Sequence, residues 1–416
     1  MYYIVIELAA TMSAIICVIF MVVVLLLWLS SDSNEVHKLL PSKYPVILWW
    51  TKDFSTTDII QCSNNRKCSV FTNKEFDKIH KVDAYLFYAS NIDFKDLPLP
   101  RRPKDIIWGL FHEESPRNVE ELLHEPALSI FNYSSTFSRF SDIPFPLQHI
   151  YDFKDITGKE YFVKTSSKNE YLKNISPVLY LQTDCSTSTE RDVYVEDLMK
   201  FINVDSYGAC LNNKKLPERF KKDYLNNLDE KNFLQFIARY KFVIAIENGV
   251  CNDYVTEKFW RAIKVGSVPI YFGSPSIRDW FPNNKSAILI EDFATPKVLS
   301  DHLKMLKEND SMYEEYLEHK TKELIGNERL IREYKDRSYQ LDGMKTVREF
   351  ECFVCNKLYD KLKGNIGVSM VDKSHYDCPK PISALTQKVN SRNSWVSSWE
   401  FAKKTAEDIH RTVIRE

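Results

Sequence analysis

The stretch KFVIAIENGVCNDYVTEKFWRAIKVGSVPIYFGSP, residues 241–275, decides the fold class of this 416-residue chain. Its apolar runs Phe242–Ile246 and Val268–Tyr271 predict two buried strands. Between them, Thr256–Val265 predicts a helix with Thr256 as its N-cap, because the hydroxyl can accept a hydrogen bond from the first turn. A strand, a helix and a second strand in this order are typical of a parallel α/β sheet.

The loop and the helix start in this stretch form a candidate binding site. Asn248 comes just after the first strand, where a side chain becomes free to contact a ligand. A helix N-terminus attracts anions, so Lys258 in the first turn is unfavourable unless a phosphate lies there. Glu257 can accept hydrogen bonds from ribose hydroxyls, and Tyr254 can stack or hydrogen-bond. The same residues are equally compatible with an ordinary charged helix start on the surface.

Missing motifs narrow the kind of nucleotide site. The chain has only 10 glycines, no GxGxxG and no GxxxxGK[ST], which disfavours dinucleotide dehydrogenases and P-loop enzymes. The charge of a diphosphate would then be met by side chains and helix ends. Arg191 is a candidate, because it begins a predicted helix after the predicted strand Val178–Gln182, although a lone Arg is often a solvated surface residue.

Two further classes of ligand are disfavoured by the sequence. The chain contains no Asp-x-Asp, the motif through which many transferases hold Mn²⁺ or Mg²⁺, so we expect neither a bound metal nor a cofactor. The formal net charge is -1, which argues against non-specific nucleic-acid binding.

The remaining sequence predicts an α/β fold with two Rossmann-like domains that face a cleft. Residues 44–165 form the first domain and residues 166–343 the second, and residues 344–416 form a Cys-containing tail. Open sheets of this kind bind ligands beyond the carboxyl ends of their strands. Three apolar runs predict strands of the first domain: Val46–Trp50, Val82–Tyr88 and Asp105–Phe111.

The segment HEESP, residues 112–116, supplies a candidate catalytic base after the last of these strands. An inverting sugar transfer needs one base for the acceptor hydroxyl and no carboxylate nucleophile. Glu114 or Glu113 could be that base, and a charged turn is the alternative. His112 could orient a carboxylate, but a packed or solvated histidine is the more common situation.

The N-terminus predicts membrane attachment. Residues 9–29 are almost wholly apolar and long enough to span a bilayer, after a short tail of residues 1–8 and before a polar stem of residues 30–43. A cleaved signal peptide is the alternative, but no basic region precedes the apolar run. Flanking charge leaves the orientation open, because only Lys38 and Lys43 lie nearby.

Cysteine and sequon positions favour an oxidising compartment. Cys17 lies in the apolar run, and an even set remains for disulfides. Cys62 and Cys68 enclose a short polar loop, which predicts a local bridge between them; Cys352-x-x-Cys355 could instead be half of a zinc site. The candidates for disulfides are Cys62, Cys68, Cys185, Cys210, Cys251, Cys352, Cys355 and Cys378. The sequons permit glycosylation at Asn132, Asn174, Asn284 and Asn309.

Several motifs together resemble one known family. The run AIENGVCNDYVTEKFWRAIKVGSVPIYFGSPS, residues 245–276, is similar to the signature of the α1,3-fucosyltransferases (glycosyltransferase family 10). Glu114-Ser115-Pro116, FNYSSTFSRFSDIPFP at residues 131–146 and VDSYGAC at residues 204–210 add to the resemblance, which covers roughly residues 44–360. It implies a GT-B fold of two Rossmann-like domains, GDP-fucose as donor, inversion at the anomeric carbon and no required metal.

The resemblance also implies residue roles. Glu114 matches the family's catalytic base, Glu257 contacts the sugar portion and Lys258 contacts phosphate. The positions matched to donor binding are Arg191, Asn248, Tyr254, Glu257 and Lys258. The family's type II topology implies a lumenal catalytic domain in the endoplasmic reticulum or Golgi membrane.

HEESP and the late FECFVC, residues 350–355, resemble one branch, the protein O-fucosyltransferases of the fucosyltransferase ten and eleven type. That branch implies transfer of L-fucose to a Ser or Thr hydroxyl of a folded, Cys-rich secretory protein. Transfer to GlcNAc of N-glycans, as in other family members, is the alternative. A non-catalytic, glycan-binding lumenal protein on the same fold is a more distant one.

Overall fold

The computed structural model describes residues 42–51, 57–102, 104–221, 229–364, 367 and 369–415. The predicted cytoplasmic tail, the apolar span at residues 9–29 and nearly all of the stem lie outside these ranges. Among the described residues, no helix is both long enough and apolar enough to cross a bilayer.

The first half of the chain is built on a six-stranded sheet. Its strands are β1 (Val46–Trp49), β2 (Asp58–Gln61), β3 (Lys67–Phe71), β4 (Ala84–Tyr88), β5 (Ile107–His112) and β6 (Tyr133–Thr136). The strand order is β2-β3-β1-β4-β5-β6, and only β2 is antiparallel to its neighbour. The helices of this half and of the connection to the next are α1 (Glu75–Ile79), α2 (Glu125–Leu128), α3 (Lys154–Thr157) and α4 (Thr165–Tyr171).

The second half carries a five-stranded parallel sheet in the order β11-β10-β9-β7-β8. These strands are β7 (Val178–Tyr180), β8 (Val204–Ser206), β9 (Phe242–Ile246), β10 (Val268–Phe272) and β11 (Ile288–Leu289). The helices are α5 (Arg191–Leu198), α6 (Glu218–Lys221), α7 (Lys231–Ile237), α8 (Glu257–Val265), α9 (Pro296–Glu308), α10 (Asp310–Glu314), α11 (Glu318–Thr321) and α12 (Glu328–Asp336). The predicted α/β class and the predicted strand-helix-strand unit are confirmed.

The chain then returns to the first half. Helix α13 (Gly343–Leu362) lays Val347, Phe350 and Val354 against the first sheet, as part of its core. The last helix, α14 (Ser394–Arg415), packs against α2 and the 3₁₀ helix Pro116–Leu123. Residues of the predicted Cys-containing tail therefore contribute to the core of the first half.

The predicted local bridge between Cys62 and Cys68 is wrong. Cys62 bonds to Cys352 and Cys68 bonds to Cys355, with Cα atoms 5.4 and 5.9 Å apart. The hairpin register explains this, because Cys68 lies opposite Ile60 on β2 and not opposite Cys62. Positions three apart lie on one face of a helix, so α13 presents both of its cysteines to the hairpin. The zinc alternative fails because both sulfurs of the Cys-x-x-Cys segment are oxidised.

The other four predicted disulfide cysteines also form bridges. Cys185 bonds to Cys210 within the second half. Cys251, in the loop of the quoted motif, bonds to Cys378 of the tail. The second bridge ties the candidate binding loop to a segment more than a hundred residues later.

One of the sequon predictions is wrong. Asn132 is buried, its Oδ1 accepts a hydrogen bond from the amide of Trp108 at 2.8 Å, and its Nδ2 donates to the carbonyl of Ser369 at 2.9 Å. A glycan on this nitrogen is incompatible with the fold. The remaining sequon asparagines, at positions 174, 284 and 309, are exposed, and glycosylation there stays a prediction.

Candidate functional site

Glu247, the first residue after β9, anchors the candidate site. It is fully buried, and its carboxylate accepts hydrogen bonds from the amide (2.8 Å) and the hydroxyl (2.7 Å) of Thr256. A Cβ at Gly273 would lie 2.5 Å from Cγ of Glu247, so glycine is needed for this close approach. Burial raises the pKa of Glu247, and Lys258 offsets this only in part. The motif's glycine and threonine therefore fix one buried carboxyl group beneath the helix start.

The predicted N-cap of α8 is confirmed, and the same hydroxyl also holds the unusual lysine. Thr256 Oγ1 accepts from the Lys258 amide at 3.4 Å and lies 3.1 Å from Lys258 Nζ. The ammonium is also 3.1 Å from Glu257 Oε1 and 3.6 Å from Glu247 Oε2. Two carboxylates thus hold a mostly buried cation at a helix N-terminus, where the dipole alone would repel it.

Glu257 is an ionised acceptor of hydrogen bonds. Burial is the largest single influence and would raise its pKa, but Lys258, His149 and Arg261 together outweigh burial and hold the pKa of Glu257 well below its usual range. A carboxylate at neutral pH accepts hydrogen bonds and donates none, which suits the hydroxyls of a sugar or ribose. His149, from the connection between the two halves, lines the same small cavity.

Arg191 and Asn248 meet at the carboxyl ends of β7 and β9. Arg191 is buried, its Nη1 donates to Asn248 Oδ1 at 2.6 Å, and its Nη2 donates to the carbonyl of Asp184. Within the described chain, its Nε has no hydrogen-bond partner. The structure therefore brings Arg191 onto the same strand-end edge as the motif, as the sequence predicts, and gives it a fixed orientation with one donor to spare.

Tyr254 connects the motif to the first half. It is buried and packs against Phe137 with ring centroids 5.0 Å apart. Burial raises the pKa of the Tyr254 hydroxyl strongly, and the negative charges of Glu247, Glu257 and, to a smaller extent, Glu114 raise it further. The HEESP segment and residues 241–275 (the donor motif) thus face each other, and the exposed Glu114 stands at their junction.

The neighbours of Glu114 are engaged elsewhere. Glu113 accepts a hydrogen bond from the Tyr88 hydroxyl at 2.7 Å, and burial raises its pKa. His112 is fully buried, its Nδ1 pairs with the Tyr376 hydroxyl at 2.8 Å, and burial lowers its pKa to about 3. A neutral, packed histidine does not act as a base for an incoming hydroxyl. Of the three adjacent side chains, only Glu114 is exposed to a substrate.

Sequence reasoning missed one contact that locks the two halves together. Arg139 of the first half donates from Nε to both carboxylate oxygens of Asp253, at 3.0 and 2.9 Å, and from Nη1 to Asp279 at 2.8 Å. Asp253 is fully buried and adopts φ 65°, a left-handed conformation that Asp and Asn adopt more readily than other residues with a side chain. Both partners lie within the quoted motifs, so the signal was present, but nothing in the sequence paired them.

One group of possible metal ligands is instead explained by a disulfide bond. Side-chain atoms of Cys185, Asp192 and Cys210 lie within ligand distance of one another. The two cysteines form a disulfide, so they offer no thiolate to an ion.

The chain has two α/β halves, and the second brings an arginine, a lysine and a helix N-terminus to the carboxyl ends of its parallel strands. This arrangement is typical of one class of protein, the transferases that use an activated nucleotide donor. Comparison with known proteins makes this specific: the chain belongs to glycosyltransferase family 10, the fucosyltransferases. Residues 42–148 match the family model "Fucosyltransferase, N-terminal", and residues 172–373 match "Glycosyltransferase family 10 (fucosyltransferase) C-term".

Curated relatives cover most of the chain. Proteins named GDP-fucose protein O-fucosyltransferase 3 are 38% identical in Canis lupus familiaris (91% of this chain, 81% of the relative) and 38% identical in Homo sapiens (92% and 82%). The Danio rerio protein of the same name is 38% identical over 88% of this chain and 81% of its own. A crystal structure of an alpha1,3-fucosyltransferase with GDP-fucose shares 16% identity and a TM-score of 0.40, covering 67% of this chain and 81% of that chain.

Proposed function

We propose that this protein is an inverting fucosyltransferase that moves L-fucose from GDP-fucose to a Ser or Thr hydroxyl of folded secretory-pathway proteins. The observation that carries the proposal is the exposed Glu114, which faces the donor motif with its Lys258, while Arg191 lies at the same strand-end edge and bonds to Asn248 of that motif. The acceptor class is supported by the relatives named as protein O-fucosyltransferases.

The proposed reaction is a single displacement. Glu114 takes the proton of the acceptor hydroxyl while that oxygen attacks the anomeric carbon on the face opposite GDP. The bond from the anomeric carbon to the β-phosphate oxygen breaks, and GDP leaves with the electron pair. Arg191, Lys258 and the start of α8 offset the charge that develops on the departing diphosphate. These cationic groups meet the charge without a metal.

Donor recognition is assigned to the remaining motif residues. The ionised Glu257 accepts hydrogen bonds from hydroxyls of the sugar portion. Asn248 orients the Arg191 guanidinium through their 2.6 Å hydrogen bond. Tyr254 forms the floor between the donor motif and HEESP, and so sets the separation of base and donor.

For the whole protein we propose a GT-B fold on a single-pass type II anchor at residues 9–29, with the catalytic part in the lumen of the endoplasmic reticulum or Golgi. The apolar length of that segment and the four disulfides support this location. Protease protection in intact microsomes tests it, since only a lumenal catalytic part stays uncut until detergent is added.

An acceptor assay tests the activity. The purified protein is incubated with GDP-fucose and either a folded Cys-rich domain, the same domain reduced and alkylated, or an N-glycan ending in GlcNAc. We expect fucose on a Ser or Thr of the folded domain, located by mass spectrometry, and little on the unfolded form. Transfer to the glycan alone would establish the α1,3 alternative, and no GDP-fucose binding by calorimetry would favour the non-catalytic one.

A further inference from the structure

The tail segment, defined here as residues 371–393, runs alongside both halves of the protein. At its start, the amide of Val371 donates to the carbonyl of Phe131 at 2.9 Å, and the carbonyl of His375 accepts from the Thr136 hydroxyl at 2.7 Å. Its later residues reach the second half, beyond the Cys251–Cys378 bridge. The segment therefore links β6 to the donor motif.

Beyond the bridge, the tail segment contacts three consecutive residues that directly precede Arg191. Asn393 Nδ2 donates to the Ser188 carbonyl at 3.1 Å, and the Ala384 amide donates to the Thr189 carbonyl at 2.7 Å. Asn390 Nδ2 donates to Glu190 Oε1 at 2.8 Å. These contacts fix the backbone just before the predicted phosphate-binding arginine.

Two of the residues before Arg191, Ser188 and Thr189, also form hydrogen bonds with the end of β9. The Ser188 hydroxyl donates to the carbonyl of Asn248 at 2.7 Å, and the Thr189 hydroxyl donates to the carbonyl of Glu247 at 2.8 Å. Asn248 in turn accepts from Arg191. In both Ser188 and Thr189, the backbone carbonyl accepts a hydrogen bond from the tail segment, and the side-chain hydroxyl donates one to the donor motif.

Glu190 adds a reason for an external support. It adopts φ 51° and ψ 39°, a left-handed conformation that is unfavourable for a residue with a side chain such as that of glutamate. It is the residue before Arg191 and the N-cap of α5, yet its side chain makes no capping hydrogen bond and is held by Asn390 instead. The orientation of Arg191 therefore depends on a conformation that the local sequence does not favour.

From these contacts we infer that the tail segment is a positioning element for the donor site, and that Asn393 is a positioning residue for the Arg191–Asn248 pair. The inference rests on the proposed function, because Arg191 acquires its role there. Asn393 does not touch the donor motif; it acts through Ser188.

The side chain of Asn393 makes two hydrogen bonds that a single substitution separates. Its Oδ1 accepts from the Trp395 amide at 3.1 Å, capping α14, while its Nδ2 donates to Ser188. Asn393→Asp keeps the capping oxygen and removes the donor, since Asp is an equally good N-cap. The change therefore breaks the link to the donor site and leaves the start of α14 intact.

Asn283 supplies a matched control in the second half. Like Asn393 it is 8% exposed, its Oδ1 accepts from a backbone amide (Gly326, 2.8 Å), and its Nδ2 donates to a backbone carbonyl (Leu324, 2.9 Å). Asn283→Asp makes the same chemical change at the same burial, away from the donor motif. Ser188→Ala is a second test variant, which removes the hydroxyl from the other end of the relay.

The experiment compares these variants in the full chain by GDP calorimetry and by initial rates. We expect Asn393→Asp and Ser188→Ala to raise the KM for GDP-fucose and the Kd for GDP about 3- to 10-fold, the worth of one hydrogen bond, with the KM for acceptor unchanged. Asn283→Asp should leave all three constants unchanged. If donor and acceptor constants worsen together, or if Asn283→Asp matches Asn393→Asp, the positioning role is overturned. Failure of the unsubstituted protein to bind GDP would instead overturn the proposed function on which the inference rests.

Discussion

Glu113 and Glu114 are adjacent in sequence, but the fold gives their carboxylates different surroundings. The carboxylate of Glu113 is bonded to Tyr88 and held at a raised pKa, while Glu114 is exposed. A base must be able to reach the acceptor proton, so the geometry favours Glu114 over its neighbour.

Glu114→Gln tests this assignment at the scale of one proton. The amide cannot accept the acceptor proton, so we expect kcat to fall about 10²- to 10⁴-fold, the usual contribution of general base catalysis. The Kd for GDP-fucose should change less than about twofold, because the carboxylate acts on the acceptor. Rates and calorimetry on the same preparation measure both.

Glu113→Gln is the matched control for that variant. The amide oxygen can still accept from Tyr88 Oη, so we expect activity within about fivefold of the unsubstituted protein. A larger loss of kcat in the Glu113 variant than in the Glu114 variant would reverse the assignment.

At the scale of elements, the return of α13 to the first sheet is fixed by two bridges that lie side by side. Cys62–Cys352 and Cys68–Cys355 span 290 and 287 residues. Once one of them is closed, the other constrains only the short loop between them. Either bridge alone therefore provides most of the entropic stabilisation that the two bridges provide together.

This geometry predicts strongly non-additive losses of stability. Removing one bridge with paired Cys→Ala substitutions should cost about 3 kcal/mol, whereas removing both should cost about 8 kcal/mol in the chain-entropy model. Denaturant unfolding without reductant measures each free energy. Losses of the two single variants that add up to the loss of the double variant would contradict the shared-loop account.

The elements also show what the sequence can and cannot predict. Apolar strands such as Phe242–Ile246 and a capped helix at Thr256 follow from local pattern, and the structure has both. Strand β6 is largely polar and gave no such pattern; its hydroxyls are buried because the tail covers them, as when Ser134 Oγ meets His375 Nδ1 at 2.6 Å. Pairings of this kind join residues that are hundreds of positions apart, so they produce no periodic pattern in the sequence.

The site divides in the same way. The grouping of Arg191 with Asn248 follows from two strand ends at one edge of a sheet, a rule that sequence reasoning can apply. The Arg139–Asp253 pair and the support of Ser188 by Asn393 depend on how the halves and the tail meet, which no local spacing encodes.

At the scale of the whole molecule, each half of the fold contains a fully buried histidine. His112 lies in the first half, and His319 lies in the second, with Nε2 3.3 Å from the Ile263 carbonyl. Burial lowers the pKa of each from 6.5 to about 3. Both rings are therefore neutral in the folded protein, while the unfolded chain protonates them below pH 6.5.

The sign of the resulting pH dependence follows from proton binding. Between about pH 3 and 6.5 the unfolded state binds more protons, so this contribution is fully present above pH 6.5 and is lost as the pH falls. We compare the unsubstituted protein with His319→Gln, because every other titrating group is common to both. The free energy of unfolding of the variant should lose about 1.3 kcal/mol less between pH 7 and 5.5. Urea titrations at the two pH values measure this difference, and equal losses in both proteins would mean that the folded state admits a proton at His319.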